Sequence, residues 1–437
     1  MTNVYDSQKR RISLERKIGG GGEGSIWKTN IGEYVAKIYN SPDQMRLRKL
    51  EVMIANPPDN PTKDLNHVAI AWPTDLLKDE RGNFKGFLMA DIQNSKELVH
   101  IYSPRIRNKQ YPDFNWKYIH TTAKNIAWII HIIHQKGYVV GDLKPQNLLV
   151  NSRSLVSIVD TDSFQVTDPK NNTLYRCSVG SEGLTPPELI DQELEKLVQT
   201  KANDRFRLAI IIHLLLFGQH PFEGMWVGTG EPPSQDKLIH LGFWPYGQNS
   251  LIQKSPRTIS LDVVHPRIKD NFLKCFNDGH SNPTKRPSAE DWYDALEIAF
   301  KDLKPCSKLP KNHFYSQTSV LAGKECYWCN RAKTLKADIF VSTVKASQPT
   351  STQPTSTQPT STQPTSTQPT STQPTSTQPT STQPKNSNLL GCFLGIFAII
   401  AIIVVCAMFF GCSLPFSKDS NTERGDRSNL SHQNNLP

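Results

Sequence analysis

The spacing of hydrophobic and polar residues changes along the first three hundred residues. Short strand-like runs come first, for example at Tyr34–Tyr39 and Phe87–Ile92. Longer helical patterns follow: Trp116–Gln135 places its apolar residues on one helical face, and Arg205–Phe217 is apolar nearly all round, which is typical of a buried helix. Strands first and helices later predict an α+β fold over residues 1–303, with a β-rich lobe followed by a helical lobe.

The last third of the chain contains two segments of unlike composition. Within residues 342–388 the unit Q-P-T-S-T repeats seven times without a charge, which predicts an extended, disordered linker. Residues 389–414 carry no charge across 26 positions, where roughly 20 apolar residues span a bilayer. A buried core helix is the alternative, but a helix after such a linker has no core to join. We therefore expect a transmembrane helix over 389–414 and a polar tail over 415–437.

The net charge and the cysteine spacing indicate which binding partners and which cellular compartment suit this chain. The net charge of +10 suits a negatively charged membrane face, nucleic acid or phosphorylated ligands. No dense Lys/Arg run of the nucleic-acid type occurs, so we expect no specific nucleic-acid partner. The eight cysteines form no evenly spaced disulfide framework, which favours a reducing compartment for the N-terminal part. Residues 1–20 lack the apolar core of a signal peptide.

A glycine-rich stretch near the N-terminus is the first candidate for phosphate binding. The sequence I-G-G-G-G-E-G-S-I-W-K presents Gly19, Gly21, Gly24 and Ile26 at the spacing G-x-G-x-x-G-x-V. Glycines let a backbone approach phosphates and donate N–H groups to them. Lys37 follows in the strand-like run V-A-K and can reach the phosphates of a nucleotide under the loop. A simple turn and a solvated lysine are the alternatives when either feature stands alone.

The sequence V-V-G-D-L-K-P-Q-N-L-L-V, from 139 to 150, carries the strongest chemical signal. Asp142 can orient the proton of an attacking hydroxyl, and Lys144 can neutralise a phosphoryl group in transfer. Asn147 and, thirteen residues later, Asp160 offer oxygen ligands to Mg²⁺ or Mn²⁺. Phosphoryl transfer needs little more than positioning and charge neutralisation, so this spacing predicts a phosphotransferase.

Residues 304–341 contain a group of metal-ligating residues, namely Cys306, His313, Cys326 and Cys329. Three thiolates and one imidazole suit a closed tetrahedral Zn²⁺ site. A redox pair or buried thiols are the alternatives. We interpret the segment as a structural zinc knuckle that caps the preceding domain; nucleic-acid binding by the knuckle is a weaker hypothesis.

Over about residues 12–300 the chain resembles the Ser/Thr (Hanks-type) protein kinase domain. The motifs that carry the resemblance also include T-P-P-E at 185–188, N-D-R-F-R-L-A at 203–209 and N-P-T-K-R-P-S-A at 282–289. The resemblance implies that Arg286 pairs with Glu188. It also implies an adenine site made by the hinge and by residues above and below the ring; these are Met89, Ala90, Ile92, Ala36 and Leu149. Its variant motifs are similar to those of a bacterial kinase group linked to helix-hairpin-helix or zinc-ribbon segments.

Three departures from the family pattern bear on mechanism and regulation. Gly141 stands where an arginine normally precedes the catalytic aspartate, which implies activity that does not depend on activation-loop phosphorylation. D-F-G is replaced by D-T-D, so Asp162 adds a second carboxylate near the metals; either aspartate can be a ligand, and spacing favours Asp160. Glu51 is the best candidate for the helix glutamate that pairs with Lys37, although an ordinary surface glutamate is the alternative.

These features predict a membrane-anchored Ser/Thr protein kinase that uses ATP, magnesium and zinc and acts on protein substrates. A nucleotide-binding pseudokinase scaffold is the alternative, and a zinc-dependent nucleic-acid binder is a third hypothesis. The larger number of basic residues after residue 414 favours a cytoplasmic tail. The need for ATP favours instead a cytoplasmic kinase domain on a single-pass protein of the cell membrane, and we expect that orientation.

Overall fold

The computed structural model of the protein describes residues 3–323 and 325–341. The predicted linker at 342–388, the predicted membrane span at 389–414 and the predicted tail at 415–437 lie outside the described residues. Within the part that is described, no helix is both long and apolar enough to cross a membrane.

The first lobe is a closed six-stranded antiparallel barrel with strand order β1-β2-β3-β4-β6-β5. Its strands are β1 (Asn3–Tyr5), β2 (Arg11–Gly20), β3 (Gly24–Thr29), β4 (Tyr34–Tyr39), β5 (Pro73–Lys78) and β6 (Phe84–Ala90). The strand predicted at Tyr34–Tyr39 is confirmed. The run predicted at Phe87–Ile92 lies partly in β6, which begins earlier and ends before the last two residues.

Helix α1 (Gln44–Ala55) packs on β5 and β6 of this barrel. The Asp43 side chain accepts a hydrogen bond from the Arg46 backbone N–H and so caps the first turn. Leu50 and Met53 are buried, and the Met53 carbonyl accepts a hydrogen bond from the Trp72 indole at 2.8 Å. The side of α1 that faces the barrel is thereby fixed.

The second lobe is helical and is built around α4 and α5, which pack on each other. Helix α4 begins and ends where the apolar spacing predicts, and α5 is buried along almost its whole length, so both predictions are confirmed. The helices of this part are α2 (Val99–Tyr102), α3 (Pro104–Gln110), α4 (Trp116–Gln135), α5 (Lys201–Phe217), α6 (Gln235–Leu241), α7 (Pro266–Leu273), α8 (Gly279–Ser281), α9 (Ala289–Asp302) and α10 (Tyr327–Leu335).

Short strands lie among the helices of the second lobe. One three-stranded sheet has the order β7-β8-β9, and β10–β11, β12–β13 and β14–β15 are antiparallel pairs. Their bounds are β7 (Ser95–Glu97), β8 (Leu148–Asn151), β9 (Val156–Ile158), β10 (Val166–Thr167), β11 (Leu174–Tyr175), β12 (Met225–Trp226), β13 (Ile252–Gln253), β14 (Leu303–Pro305) and β15 (Phe314–Ser316).

The segment 304–341 shares the core of the helical lobe. Trp328 of α10 is buried and meets Trp116 of α4 edge-to-face, with ring centroids 4.9 Å apart. The Arg107 guanidinium lies over the Phe340 ring and donates to the Ile339 carbonyl at 2.6 Å. Because β14 crosses the expected boundary at 303/304, the cysteine-containing segment is continuous with the larger domain.

Candidate active site

The loop that carries Asp142 is tied to the centre of α5. Asp204 of α5 is fully buried, and its carboxylate accepts the backbone N–H groups of Val140 at 2.7 Å and Gly141 at 2.9 Å. The His134 ring lies 3.0 Å from the same carboxylate. Hydrogen bonds to a buried carboxylate are strong and directional, so the loop is held rigidly in front of the helical core.

Asp142 is buried at the base of the cleft between the lobes. Its carboxylate pairs with the Lys144 ammonium and accepts a hydrogen bond from the Ser181 hydroxyl at 2.8 Å. The two predicted catalytic residues are therefore together. Ser181 is a contact that the sequence reasoning missed, because it belongs to the segment before T-P-P-E and no local pattern marks it.

Asn147 and Asp160 lie on the same wall of the cleft as Asp142. The Asn147 side-chain N–H donates to the Asp142 carbonyl at 3.3 Å, which leaves the amide oxygen for another ligand. Asp160 has a left-handed backbone (φ 59°), and its side chain is 36% exposed. One amide oxygen and one accessible carboxylate are suitable ligands for Mg²⁺, so the donors present fit the predicted metal.

The cleft has a volume of about 750 Å³ and is roofed by the glycine-rich turn between β2 and β3. The Gly21 N–H donates to the Gly24 carbonyl at 2.9 Å, and a Cβ on Gly24 would lie 2.5 Å from the Ile38 carbonyl oxygen, so β3 and β4 approach closely there. Most of the predicted nucleotide-binding residues line the cleft; these are Gly19, Gly21, Gly24, Ile26, Lys37, Met89, Ala90, Ile92 and Leu149.

The prediction that Ala36 faces the adenine is wrong. Side chains alternate along a strand, and Val35 shares the cleft side of β4 with Lys37. Ala36 points to the opposite side, into a cluster with Leu14, Leu77 and Leu88. The period of two along β4 is the signal that identifies Val35.

Lys37 is buried and pairs with two carboxylates. Its ammonium nitrogen lies 2.7 Å from Asp160 Oδ1 and 2.7 Å from each carboxylate oxygen of Asp162. Burial alone lowers the pKa of Lys37, but the charges of Asp162 and Asp160 outweigh burial and the pKa is raised, so the lysine stays cationic. The Asp162 side chain is more enclosed than that of Asp160.

The predicted pairing of Glu51 with Lys37 is also wrong. Glu51 is exposed, and it lines a separate pocket with Arg48, Asn56 and Asp168. Glu51 does lie on a helix, α1, but the rotation of that helix turns this glutamate away from β4. On α1, burial lowers the pKa of Lys49, and the charge of Asp162 opposes that shift.

The predicted pair of Glu188 and Arg286 is confirmed. The two carboxylate oxygens of Glu188 each accept a guanidinium N–H at 2.7 Å, and the Arg286 side chain is fully buried. Asn203 of α5 donates to the same carboxylate at 2.6 Å. This bidentate pair fixes the T-P-P-E turn against the helical core.

The segment between the D-T-D turn and T-P-P-E is held without an arginine in the catalytic loop. Gly141 has a positive φ of 76°, and a Cβ there would lie 2.6 Å from the Cys177 sulfur. Gln199 donates to the Cys177 carbonyl, and its backbone exchanges hydrogen bonds with the Gln165 side chain at 2.7 and 2.9 Å. Gln199 thus joins Cys177 to Gln165 beside the catalytic loop.

The four residues predicted to bind zinc are brought together. One ligand atom from each of Cys306, His313, Cys326 and Cys329 lies within 4.8 Å of the others. The second ring nitrogen of His313 lies 2.9 Å from Asp338, a carboxylate that sequence reasoning missed. A carboxylate behind a histidine is the usual support of a zinc ligand, so the donor set and its surroundings fit zinc.

Comparison with known proteins agrees with this geometry. A family model described as a protein kinase domain matches residues 13–295. Protein kinase YegI of Escherichia coli strain K12 is 32% identical over 341 residues, covering 75% of this chain and 50% of that protein; its O157:H7 counterpart is 32% identical over 339 residues, with the same coverage. A probable serine/threonine-protein kinase of Dictyostelium discoideum, irlC, is 26% identical over 50% of this chain and 16% of its own length.

The chain spans about half the length of the YegI proteins. Among solved structures, a rhoptry kinase from Toxoplasma gondii aligns with a TM-score of 0.44 and 12% identity, over 69% of this chain and 83% of that one. That overlay is too distant to assign residues.

Proposed function

The chain belongs to the Hanks-type protein kinase family, and we propose that it transfers the γ-phosphoryl group of ATP to serine or threonine side chains of protein substrates. The observation that carries this proposal is the convergence of Asp142, Lys144, Asn147, Asp160 and Lys37 on one cleft roofed by a glycine-rich turn.

Each of these residues has a role that its surroundings support. Asp142 orients the attacking hydroxyl and accepts its proton, and Lys144 beside it neutralises the transferring phosphoryl group. Lys37 remains protonated and holds the phosphates of the nucleotide. Asn147 and Asp160 would hold Mg²⁺, which supplies charge neutralisation at the phosphates when it is bound.

Phosphoamino-acid analysis tests the substrate class. The full chain in detergent is incubated with radiolabelled ATP, Mg²⁺ and a bacterial cell extract, and the labelled proteins are hydrolysed. We expect phosphoserine and phosphothreonine with the wild type and with an Asp113→Asn control, which removes one exposed carboxylate. Asp142→Asn should give no label above background; label on tyrosine alone would contradict the proposal.

A nucleotide-binding scaffold without transfer is the second candidate. It is favoured by Gly141 and by the D-T-D sequence at 160–162, which depart from the family pattern. The present arrangement leaves the five chemical side chains in place despite these departures, and this supports an active enzyme. ATP binding by a wild type that labels no protein would favour the scaffold.

We propose that residues 389–414 anchor the protein in a membrane with the kinase domain in the cytoplasm. The uncharged run of 26 residues and the need of the cleft for ATP support this proposal. A phosphatase reporter that is active only outside the cytoplasm, fused after Pro437, should be active. An inactive phosphatase, together with a fluorescent fusion at the same position in the membrane fraction, would contradict this orientation.

We also propose that Cys306, His313, Cys326 and Cys329 bind one structural zinc ion. Their ligand atoms are close enough together for a single ion, and Asp338 can orient the histidine. The metal content of the purified chain tests this proposal. If zinc is bound there, its removal should also destabilise the helical lobe.

A further inference from the structure

Asp162 and Asp160 both contact Lys37, but they differ in how far their side chains are exposed to the cleft. The Asp162 side chain is 4% exposed, and both of its oxygens face the Lys37 ammonium. The Asp160 side chain is 36% exposed, offers one oxygen to Lys37 and lines the cleft. Asp160 is therefore open to a cation from the nucleotide side, whereas Asp162 is committed to the lysine.

Tyr39 provides a second hydrogen-bond donor to the Asp162 carboxylate. Lys37 and Tyr39 are two residues apart on β4, so their side chains share one face of the strand. The Tyr39 hydroxyl donates to Asp162 Oδ2 at 2.7 Å, and its ring packs between Phe84 and Phe87. A buried carboxylate with two strong donors is satisfied without a metal ion.

The backbone turn that presents Asp162 is fixed by the core. The chain enters it through the left-handed Asp160, and residues 161–163 form a single 3-10 turn. The Thr161 hydroxyl donates to the Ala71 carbonyl at 2.9 Å, and the Ser163 hydroxyl donates to the Asp160 carbonyl at 2.7 Å. The position of the Asp162 carboxylate thus follows from the barrel and the turn, and does not require α1 to move.

Helix α1 contributes no carboxylate to this site. Glu51 is its single acidic residue, and it is exposed on another face. Arg46 lies over the Tyr39 ring at 4.9 Å and pairs with Glu23 and Asp43 at 3.4 Å, while burial lowers the pKa of Lys49. Lys37 therefore pairs with Asp160 and Asp162, and with no carboxylate of α1.

We infer that Asp162 is a positioning residue that holds Lys37 in place of the helix glutamate of other protein kinases, and that it does not bind the metal ion. The inference rests on the proposed function, since Lys37 acts on the nucleotide. The D-T-D turn then fixes the position of Lys37. A displacement of α1 would leave the Lys37–Asp162 ion pair intact, so it would not inactivate the enzyme through loss of this pair.

A double-mutant cycle tests whether Asp162 acts through Lys37. The full chain is compared with Lys37→Met, Asp162→Asn and the double variant, by phosphoryl transfer to the protein substrates in a cell extract and by affinity for a fluorescent Mg·ATP analogue. We expect Asp162→Asn to lower transfer on the order of tenfold. The double variant should lie within about twofold of Lys37→Met in both readouts. Losses that multiply in the double variant would overturn the inference.

The magnesium requirement separates positioning from metal binding. We expect Asp160→Asn to raise the Mg²⁺ concentration for half-maximal transfer on the order of tenfold, and Asp162→Asn to leave it within about twofold. An equal rise in both variants would make Asp162 a ligand and overturn the inference. Glu51→Gln should match the wild type; a tenfold loss there would restore α1 as the partner of Lys37.

Two further measurements keep the test decisive. If Asp162→Asn does not fold, Tyr39→Phe removes one hydroxyl from the same carboxylate and should lower nucleotide affinity about two- to threefold, with no further loss in a Lys37→Met background. An additive loss would count against the inference. If the wild type transfers no phosphate, the proposed function fails, yet the nucleotide-affinity cycle still decides the role of Asp162.

Discussion

Gly141 occupies a position in the catalytic loop that leaves no room for a side chain. Its φ is +76°, and a Cβ would lie 2.6 Å from both the Cβ and the sulfur of Cys177. Glycine thus replaces the usual arginine at position 141, and its lack of a side chain makes room for the buried Cys177 beside the loop. The sequence showed the missing arginine, and the structure adds that the gap is filled by the chain itself.

A matched pair of glycines tests this crowding. Gly137 also has a positive φ, of 93°, but a Cβ there would meet nothing within 4 Å. Gly137→Ala should cost only backbone strain, about 1 kcal/mol. Gly141→Ala should cost roughly 1–3 kcal/mol more because a contact must be relieved. Urea denaturation of the full chain gives both values, and equal losses would contradict the account.

Individual site residues were predictable where one short motif encodes them. Asp142, Lys144 and Asn147 lie within six residues of one another, so their spacing alone places them on one loop. The predictions for Ala36 and Glu51 were wrong for a different reason. Their roles depend on which face of a strand or helix meets the cleft. That choice is made by packing against neighbours, which a local pattern does not contain.

At the scale of elements, the Glu188–Arg286 pair joins the T-P-P-E turn to the loop between α8 and α9. Burial alone would raise the pKa of Glu188, but hydrogen bonds and charge from Arg286 outweigh burial and lower it below 4.5. A carboxylate with a depressed pKa stabilises the fold above its unfolded pKa, and that contribution is lost as pH falls through the folded pKa.

Acid denaturation tests whether the charged Glu188 carboxylate stabilises the fold. At pH 7 we expect Glu188→Gln to be less stable than the wild type by about 1–3 kcal/mol, because a charged hydrogen-bonded partner of buried Arg286 is lost. The difference should shrink as the pH falls below 4.5. Glu195→Gln, at an exposed position, is the control and should follow the wild type at every pH. A difference for Glu188→Gln that is constant with pH would refute the assignment.

Long helices were the elements that sequence predicted best. Helices α4 and α5 carry many apolar residues at one spacing, so their positions were clear, and α4 has the predicted bounds. Short strands such as β10 and β11 have two residues each, and only their antiparallel pairing with each other defines them. Local composition is too brief a signal for elements of that length.

At the scale of the whole molecule, the cysteine-containing segment is part of the helical lobe. Trp328 follows the cysteine at 326 and packs on Trp116, whose indole donates to the Leu216 carbonyl at 3.1 Å. The proposed zinc ion would therefore hold Trp328 against Trp116 of α4, and Trp116 in turn contacts α5. Sequence identified the four ligands by their chemistry, but contacts between such distant residues were beyond local patterns.

Zinc removal should accordingly weaken the kinase fold. We expect one zinc ion for each purified full chain and loss of that zinc in the double variant Cys326→Ser, Cys329→Ser, with a lower thermal midpoint because Trp328 loses its support. Cys275→Ser, outside the cluster, should retain zinc. Metal analysis and thermal unfolding give the two readouts. A wild type without metal, or a zinc-free variant of unchanged stability, would contradict this account.

The central claim is that the cleft performs phosphoryl transfer with Asp142 as its base. The most direct measurement compares nucleotide affinity and transfer of radiolabelled γ-phosphate in the wild type and in Asp142→Asn, using the full chain. We expect the affinity for Mg·ATP to change by less than about twofold and transfer to fall about 10²- to 10⁴-fold. Equal transfer by both proteins, or tight binding with no transfer by the wild type, would contradict the claim.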